Sequence, residues 1–240
     1  MTRKTIATPY DASLDCASKA FKERVLRHID THLAKGRSKD TNLFTQTNES
    51  LEQIMTGMQP HKQDLILAVC GSGDQAFALI EHDAQVIAVD THPGQVSYAK
   101  RRAGFLRAGA YEEFLTAGRS HLRSDVLAYF TAPGRMDRIR KNLGNIAFNT
   151  LDIFGIPAAM RIVFSKVYLS NAHYFDNWVG HTEMHRVADK LEEGGRLYAT
   201  GESYKFKDCC KMTIDNAMTS RIQSMNGNGW NPVVYTRGSD

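Results

Sequence analysis

A glycine turn and an acid further along the chain are the residues with the clearest chemical potential. Gly71-Ser72-Gly73 directly follows one apolar run, and Asp90 ends the next. Glycine lets a backbone approach a ligand closely, and amides at the start of a following helix can face it. A carboxylate at the end of a second strand can accept hydrogen bonds from both hydroxyls of a ribose. These residues therefore predict a nucleotide site.

The elements that must position these residues form a β-α-β unit. Leu65–Val69 is too short for a helix and predicts a buried strand, which is followed by a helix over Gln75–Glu81 and a strand over Val86–Asp90. Further helices are predicted at 95–109, 136–143, 181–191 and 208–225, with another starting at Tyr111, and further strands at 145–152, 166–169, 196–200 and 233–236. This alternation predicts an α/β fold with a doubly wound, mostly parallel, Rossmann-like sheet that binds ligands at the carboxyl ends of its strands.

The first sixty residues have a different pattern. Apolar residues recur mostly every fourth position from Ser13 to Leu33, which predicts an amphipathic helix, and a second, short helix is predicted over Leu51–Met58. We therefore expect an N-terminal helical extension over residues 1–60 and the sheet domain over residues 61–240.

Composition excludes some classes of protein. No apolar run approaches the roughly 20 residues that cross a bilayer, and the N-terminal residues carry no apolar signal segment. The four cysteines show no spacing typical of a metal site or a disulfide framework, which predicts reduced thiols in a cytoplasmic protein.

The charged residues do not indicate a macromolecular partner. Basic residues gather at Lys100–Arg102 and between Arg119 and Lys141, and we interpret them as solvated helix faces rather than as a surface for RNA or anionic lipid. No clear nucleic acid signature is present. His181 and His185 share a helix face, but the intervening glutamate is not at the position of the zinc-protease motif, so we expect no metal site.

Two kinds of cofactor are compatible with the glycine turn. Gly71, Gly73 and Ala76 match the G-x-G-x-x-A pattern of NAD-binding proteins. The later segment Leu191-Glu-Glu-Gly-Gly-Arg-Leu-Tyr198, however, resembles the element before the fifth strand of class I S-adenosylmethionine-dependent transferases. That resemblance implies that the glycine turn faces the methionine part of S-adenosylmethionine, Asp90 holds its ribose, and Asp152 lies near its adenine. Capping of a helix is an equally good interpretation of Asp152.

A narrower resemblance rests on several segments together. They are Thr45-Gln-Thr-Asn-Glu49, AVCGSGDQAFALI from Ala68, IAVDTHPGQVSYAKRRAGFL from Ile87, Ala110-Tyr-Glu-Glu-Phe-Leu115 and Val167-Tyr-Leu-Ser-Asn-Ala172. Over about residues 44–202 the chain resembles the betaine-lipid synthase family. Members of that family transfer the 3-amino-3-carboxypropyl group of S-adenosylmethionine, which implies a small-molecule or lipid acceptor here.

The resemblance also implies roles for individual residues. The segment Phe44–Ser50 is expected to cover the cofactor, although Asn48 or Ser50 could instead cap the following helix. Asn171 is expected beside the sulfonium, and His173 or Tyr174 could position or deprotonate a nucleophile; these three are the candidate catalytic residues. The expected cofactor-binding residues are Gln46, Glu49, Cys70, Gly71, Ser72, Gly73, Gln75, Asp90, Thr91, Asp152 and Asn171.

Two other functions stay open on the residues alone. A methyltransferase would use the same fold and cofactor, and a catalytically silent nucleotide-binding partner protein would keep the same glycine turn. Fold-level analogy cannot choose among these functions, because function belongs to the site.

Overall fold

A mostly parallel sheet, extended at one edge by two strands that are joined through antiparallel pairing, forms the core of the described residues. The computed structural model describes residues 44–156, 162–175, 180–201, 206, 211–225 and 230–238, so the helix predicted from Ser13 to Leu33 lies outside the described residues. Within these ranges the strands are β1 (Leu65–Val69), β2 (Gln85–Asp90), β3 (Ile146–Thr150), β4 (Phe164–Ser170), β5 (Leu191–Thr200), β6 (Met212–Ile214) and β7 (Pro232–Arg237). They form one seven-stranded sheet in the order β3-β2-β1-β4-β5-β7-β6.

Helices pack on the two faces of this sheet. In the described ranges they are α1 (Leu51–Met58), α2 (Asp74–Leu79), α3 (Pro93–Ala108), α4 (Tyr111–Thr116), α5 (Ser124–Thr131), α6 (Arg135–Lys141), α7 (Ala172–Phe175), α8 (His181–Ala188) and α9 (Asn216–Ser224). Short 3₁₀ turns follow at Ile80–His82, Leu143–Asn145 and Ile153–Gly155. The predicted doubly wound, mostly parallel α/β fold is confirmed.

The sheet is parallel where its strands are most apolar. β1 lies between β2 and β4, with Leu67 beside Ile87 on one side and Val167 on the other. These strand interiors are buried, as parallel strands covered on both faces must be. β7 runs antiparallel to β5 and to β6. Strand order reverses between β1 and β4, and open α/β sheets bind ligands at such a reversal.

Local signals fix where helices begin and end. Ser50 accepts a hydrogen bond from the Gln53 amide at the start of α1. Pro93 occupies the first turn of α3, and Gly109 ends that helix in a left-handed conformation. These caps place α3 two residues earlier than its apolar pattern predicted.

The C-terminal part departs furthest from the sequence prediction. A single helix was expected over 208–225, but the described residues there contain strand β6 and then α9, because Asp215 caps the helix by accepting from the Met218 amide. The predicted turn at Glu192–Gly195 lies inside β5, where the register with β4 jumps and Gly194 has a φ of +74°. Helix α5 had no counterpart in the sequence prediction.

None of the helices within the described ranges has the length and apolar character needed to span a membrane.

Candidate functional site

A cavity of about 320 Å³ opens at the carboxyl ends of β1, β2 and β4. It lies where the strand order reverses. Most of the predicted cofactor-binding residues line it: Gln46, Glu49, Gly71, Ser72, Gln75, Asp90, Thr91, Asp152 and Asn171. The structure therefore brings together residues that are up to 125 positions apart in the chain, from Gln46 to Asn171 (171 − 46 = 125).

The glycine turn requires glycine for two separate reasons. Gly71 and Gly73 both have positive φ, +45° and +85°, which other residues adopt at a cost. A Cβ on Gly73 would also lie 3.1 Å from the Ala99 side chain and from the Phe77 ring. The turn thus keeps its shape because α2 and α3 pack directly against it.

Asp90 links the end of β2 to this turn. Its Oδ2 accepts a hydrogen bond from the Gly71 amide at 3.1 Å, and its Oδ1 accepts one from the His92 amide at 2.9 Å. Burial raises the pKa of Asp90, and the two amides only partly oppose that effect. The carboxylate is therefore held in place while it lines the cavity.

Gln75 presents an unused acceptor. Its Nε2 donates to the backbone carbonyls of Val69 at 3.0 Å and Cys70 at 2.8 Å, which fixes the orientation of the amide. The Oε1 atom is buried and accepts no hydrogen bond within the described part of the chain. Buried polar atoms are normally paired, so this oxygen is suited to a ligand that donates.

Glu49 is the buried acid of the cavity. Its Oε1 accepts hydrogen bonds from the hydroxyls of Tyr168, at 2.9 Å, and Ser170. Ser170 has a φ of +53°, a left-handed conformation that a non-glycine residue adopts at a cost and that is common at functional sites. Burial raises the pKa of Glu49 more than the hydroxyls of Ser170, Tyr168 and Thr200 lower it.

A buried ion cluster anchors the segment that precedes α1. Asp74 is fully buried and pairs with Arg102 at 2.7 Å and with Arg119 at 2.7 Å. It also accepts a hydrogen bond from the Thr47 amide at 2.9 Å. Burial alone would raise the pKa of Asp74, but the two guanidinium groups outweigh it and the pKa is lowered.

This cluster corrects the expectation of solvated helix faces for Arg102 and Arg119, whereas Arg101, Arg140 and Lys141 are exposed as expected. The side chains of Arg102 and Arg119 are buried in ion pairs. Arg135 and Arg138 pair with the buried Glu81. Local charge pattern could not reveal these pairs, because each acid lies tens of residues from its base.

Further polar contacts dock residues 44–49 against the sheet domain. Gln95 forms two hydrogen bonds with the backbone of Phe44, at 2.9 and 2.7 Å. The Tyr98 hydroxyl donates to the Thr45 carbonyl at 2.9 Å, and the Arg123 amide donates to Gln46 Oε1 at 2.9 Å. We call residues 44–49 the covering segment, since they are held over the cavity that they line.

Lining the cavity is compatible with a capping role in both places where the sequence left the two open. Asp152 lines the cavity and also caps the 3₁₀ turn after it, because its Oδ1 accepts from the Phe154 amide at 2.9 Å. Ser50 caps α1, whereas Asn48 and Glu49 line the cavity.

Several predicted residues are not among those lining the cavity. Cys70 is buried behind the turn, Gly73 serves its packing, and His173 is buried in α7. Tyr174 is 57% exposed, with its hydroxyl directed towards Gly201. The catalytic roles of His173 and Tyr174 stay predictions. Sequence reasoning missed the apolar lining, which includes Phe44, Val89, Leu151, Ile153, Phe154 and Trp230; a run of apolar residues after β3 was the available signal.

Comparison with solved structures identifies the fold. The chain is similar to geranyl diphosphate methyltransferase in complex with S-adenosylmethionine, with a TM-score of 0.50, 10% identity, and coverage of 78% of this chain and 84% of that one. It is also similar to an rRNA methylase from Streptococcus thermophilus, with a TM-score of 0.48, 11% identity, and coverage of 79% and 95%. No family model and no curated protein sequence matches the chain. The chain has the fold of class I S-adenosylmethionine-dependent methyltransferases.

Proposed function

We propose that the protein is a transferase that binds S-adenosylmethionine in this cavity and transfers its 3-amino-3-carboxypropyl group to a nucleophilic acceptor. The observation that carries the cofactor assignment is the linked pair of glycine turn and Asp90 at the reversal of strand order. A ribose with two hydroxyl donors suits Asp90, and an adenine suits the apolar lining near Leu151 and Ile153. S-adenosylmethionine, when bound, supplies a carbon that its sulfonium activates for displacement.

The residues of the chain would act by binding and orientation. Well-aligned reactants gain up to about 7–11 kcal/mol over free encounter, so the group that is transferred depends on which carbon faces the acceptor. The docked covering segment and the residues at the end of β4 surround the place where that choice is made. The preference for aminocarboxypropyl transfer rests on the resemblance of residues 44–202 to betaine-lipid synthases.

Methyl transfer is the second candidate. Geranyl diphosphate methyltransferase, which shares this fold, forms a complex with S-adenosylmethionine. Both candidates use the same cofactor and the same cavity, and they differ in the by-product that is left.

The by-product is therefore the decisive measurement. The purified protein is incubated with S-adenosylmethionine and a cell-extract pool of acceptors, and nucleosides are quantified by mass spectrometry. We expect 5′-methylthioadenosine to accumulate above the level produced by spontaneous breakdown, measured with the Asp90→Asn variant in parallel. S-adenosylhomocysteine would instead establish methyl transfer, and neither product together with confirmed binding would indicate a silent binding protein.

A further inference from the structure

Glu49 is a buried acid that pairs with no lysine or arginine among the residues that the structure describes. Glu49 is only 3% exposed, and the side chains that contact its carboxylate in the described structure are hydroxyl groups. Other buried acids of the described chain are paired: Asp74 with two arginines, Asp64 with Lys166 and Glu81 with Arg135 and Arg138. Buried charges are normally paired, so Glu49 is an exception among the buried acids of the described residues.

Two buried side-chain atoms of the cavity lack a hydrogen-bond partner among the described residues, and both are acceptors. Glu49 Oε2 and Gln75 Oε1 are both buried, neither accepts a hydrogen bond from a described residue, and both residues line the same cavity. Both atoms are acceptors, so together they suit a group that carries several N–H donors. A sulfonium carries no N–H, and a carboxylate carries neither donor nor positive charge.

We propose that Glu49 is the counter-ion of the α-ammonium group on the amino-acid arm of the bound cofactor, with Gln75 Oε1 as a second acceptor in the same cavity. The inference rests on the proposed function, because it assigns one residue to one part of S-adenosylmethionine. It also places a charged residue of the covering segment on the arm that the proposed reaction transfers.

The surroundings of Glu49 suit this role. The rings of Tyr168 and Tyr198 are tilted by 31° with centroids 5.7 Å apart, and burial raises the pKa of both phenols, so they stay neutral. A cation that binds in such an apolar setting gains more from a carboxylate than it would in water. The hydroxyls of Tyr168 and Ser170 donate to Glu49 Oε1, and Oε2 is the oxygen that can accept from the ligand.

Three related ligands test the assignment by calorimetry on the full chain. S-adenosylmethionine carries the ammonium and the sulfonium, S-adenosylhomocysteine carries the ammonium alone, and 5′-methylthioadenosine carries neither. We expect Glu49→Gln to weaken the first two by roughly 10- to 100-fold and to leave the third within about twofold. Glu52→Gln is the matched control, since Glu52 is exposed, lies three residues away, and is not among the residues lining the cavity.

Each other pattern overturns the assignment. Loss for S-adenosylmethionine alone would place the sulfonium, not the ammonium, at Glu49. Equal binding of all three ligands by Glu49→Gln and the parent would refute the ionic role while leaving the proposed function standing. Failure of the parent protein to bind any of the three would remove the proposed function itself.

Thermal unfolding of the ligand-free protein separates binding from structure. A buried carboxylate without its cationic ligand destabilises the ligand-free protein. We therefore expect Glu49→Gln to melt at the same temperature as the parent or at a higher one. A merely structural Glu49 would give a lower melting temperature, and that result would also overturn the proposal.

Discussion

At the scale of single residues, Asp90 carries two tasks with one carboxylate. It accepts hydrogen bonds from the backbone amides of Gly71 and of His92, which precedes α3, and it also lines the cavity. Substitution at Asp90 is therefore the most direct test of the cofactor assignment.

We expect Asp90→Asn to weaken S-adenosylmethionine, S-adenosylhomocysteine and 5′-methylthioadenosine alike, by about one to two orders of magnitude, because all three contain the ribose. Calorimetry measures this, with Asp83→Asn as control: Asp83 is exposed before the opposite end of β2 and already has a left-handed conformation, which asparagine tolerates. Selective loss of one ligand would contradict a ribose contact. Tighter binding of NAD than of S-adenosylmethionine by the parent would contradict the cofactor assignment.

At the scale of elements, the Asp74 cluster joins the covering segment to α2, α3 and the loop after α4. Asp74 pairs with two buried guanidinium groups and accepts a hydrogen bond from the Thr47 amide. The covering segment is consequently docked by polar contacts that need no ligand. The segment expected to cover the cofactor is thus held at Thr47 without a ligand.

Asp74→Asn should destabilise the protein by about 3–5 kcal/mol, because it leaves Arg102 and Arg119 buried without their anion. Hydrogen exchange at residues 44–50 should become faster at the same time. Chemical denaturation and exchange mass spectrometry measure the two effects. An exposed pair gives the comparison, since Glu52→Gln removes a contact of 3.3 Å at the surface and should cost less than about 1 kcal/mol. Unchanged stability of Asp74→Asn would show that the cluster does not hold the segment.

The elements also show what the sequence could and could not predict. Strands β1 and β2, the glycine turn and Asp90 were predicted, because their information is local: apolar runs, turn residues and one acid at a strand end. The Asp74–Arg102–Arg119 cluster was missed because its members lie 28 and 45 residues apart (102 − 74 and 119 − 74) and only the fold brings them together. The apolar lining from Trp230 and Phe44 was missed for the same reason.

At the scale of the whole molecule, buried acids respond to pH in opposite directions. The pKa of Asp74 is lowered, so the stability it contributes is present above about pH 4 and is lost as the pH falls through its folded pKa. The pKa of Glu49 is raised, so its contribution is present below about pH 4 and is lost as the pH rises through its folded pKa. The ligand-free fold therefore loses the Asp74 contribution as the pH falls below about 4 and the Glu49 contribution as the pH rises above about 4.

This difference predicts a pH-dependent effect of one substitution. Glu49→Gln and the parent should be about equally stable near pH 3.5, where Glu49 is protonated, and the variant should gain over the parent as the pH rises to 7. Denaturant titrations at several pH values measure the gap, and Glu52→Gln should show none. A gap that is constant with pH would mean that Glu49 ionisation does not affect stability.

The position of Cys70, directly before the glycine turn, determines the reactivity of its thiol. The thiol is completely buried, and that burial together with the nearby charge of Asp90 raises its pKa well above the ordinary value. Alkylating agents and oxidants attack the thiolate, so the folded protein keeps this sulfur inert although it adjoins the cavity. A modification found at Cys70 would therefore indicate local unfolding at the end of β1 and not redox sensing at the site.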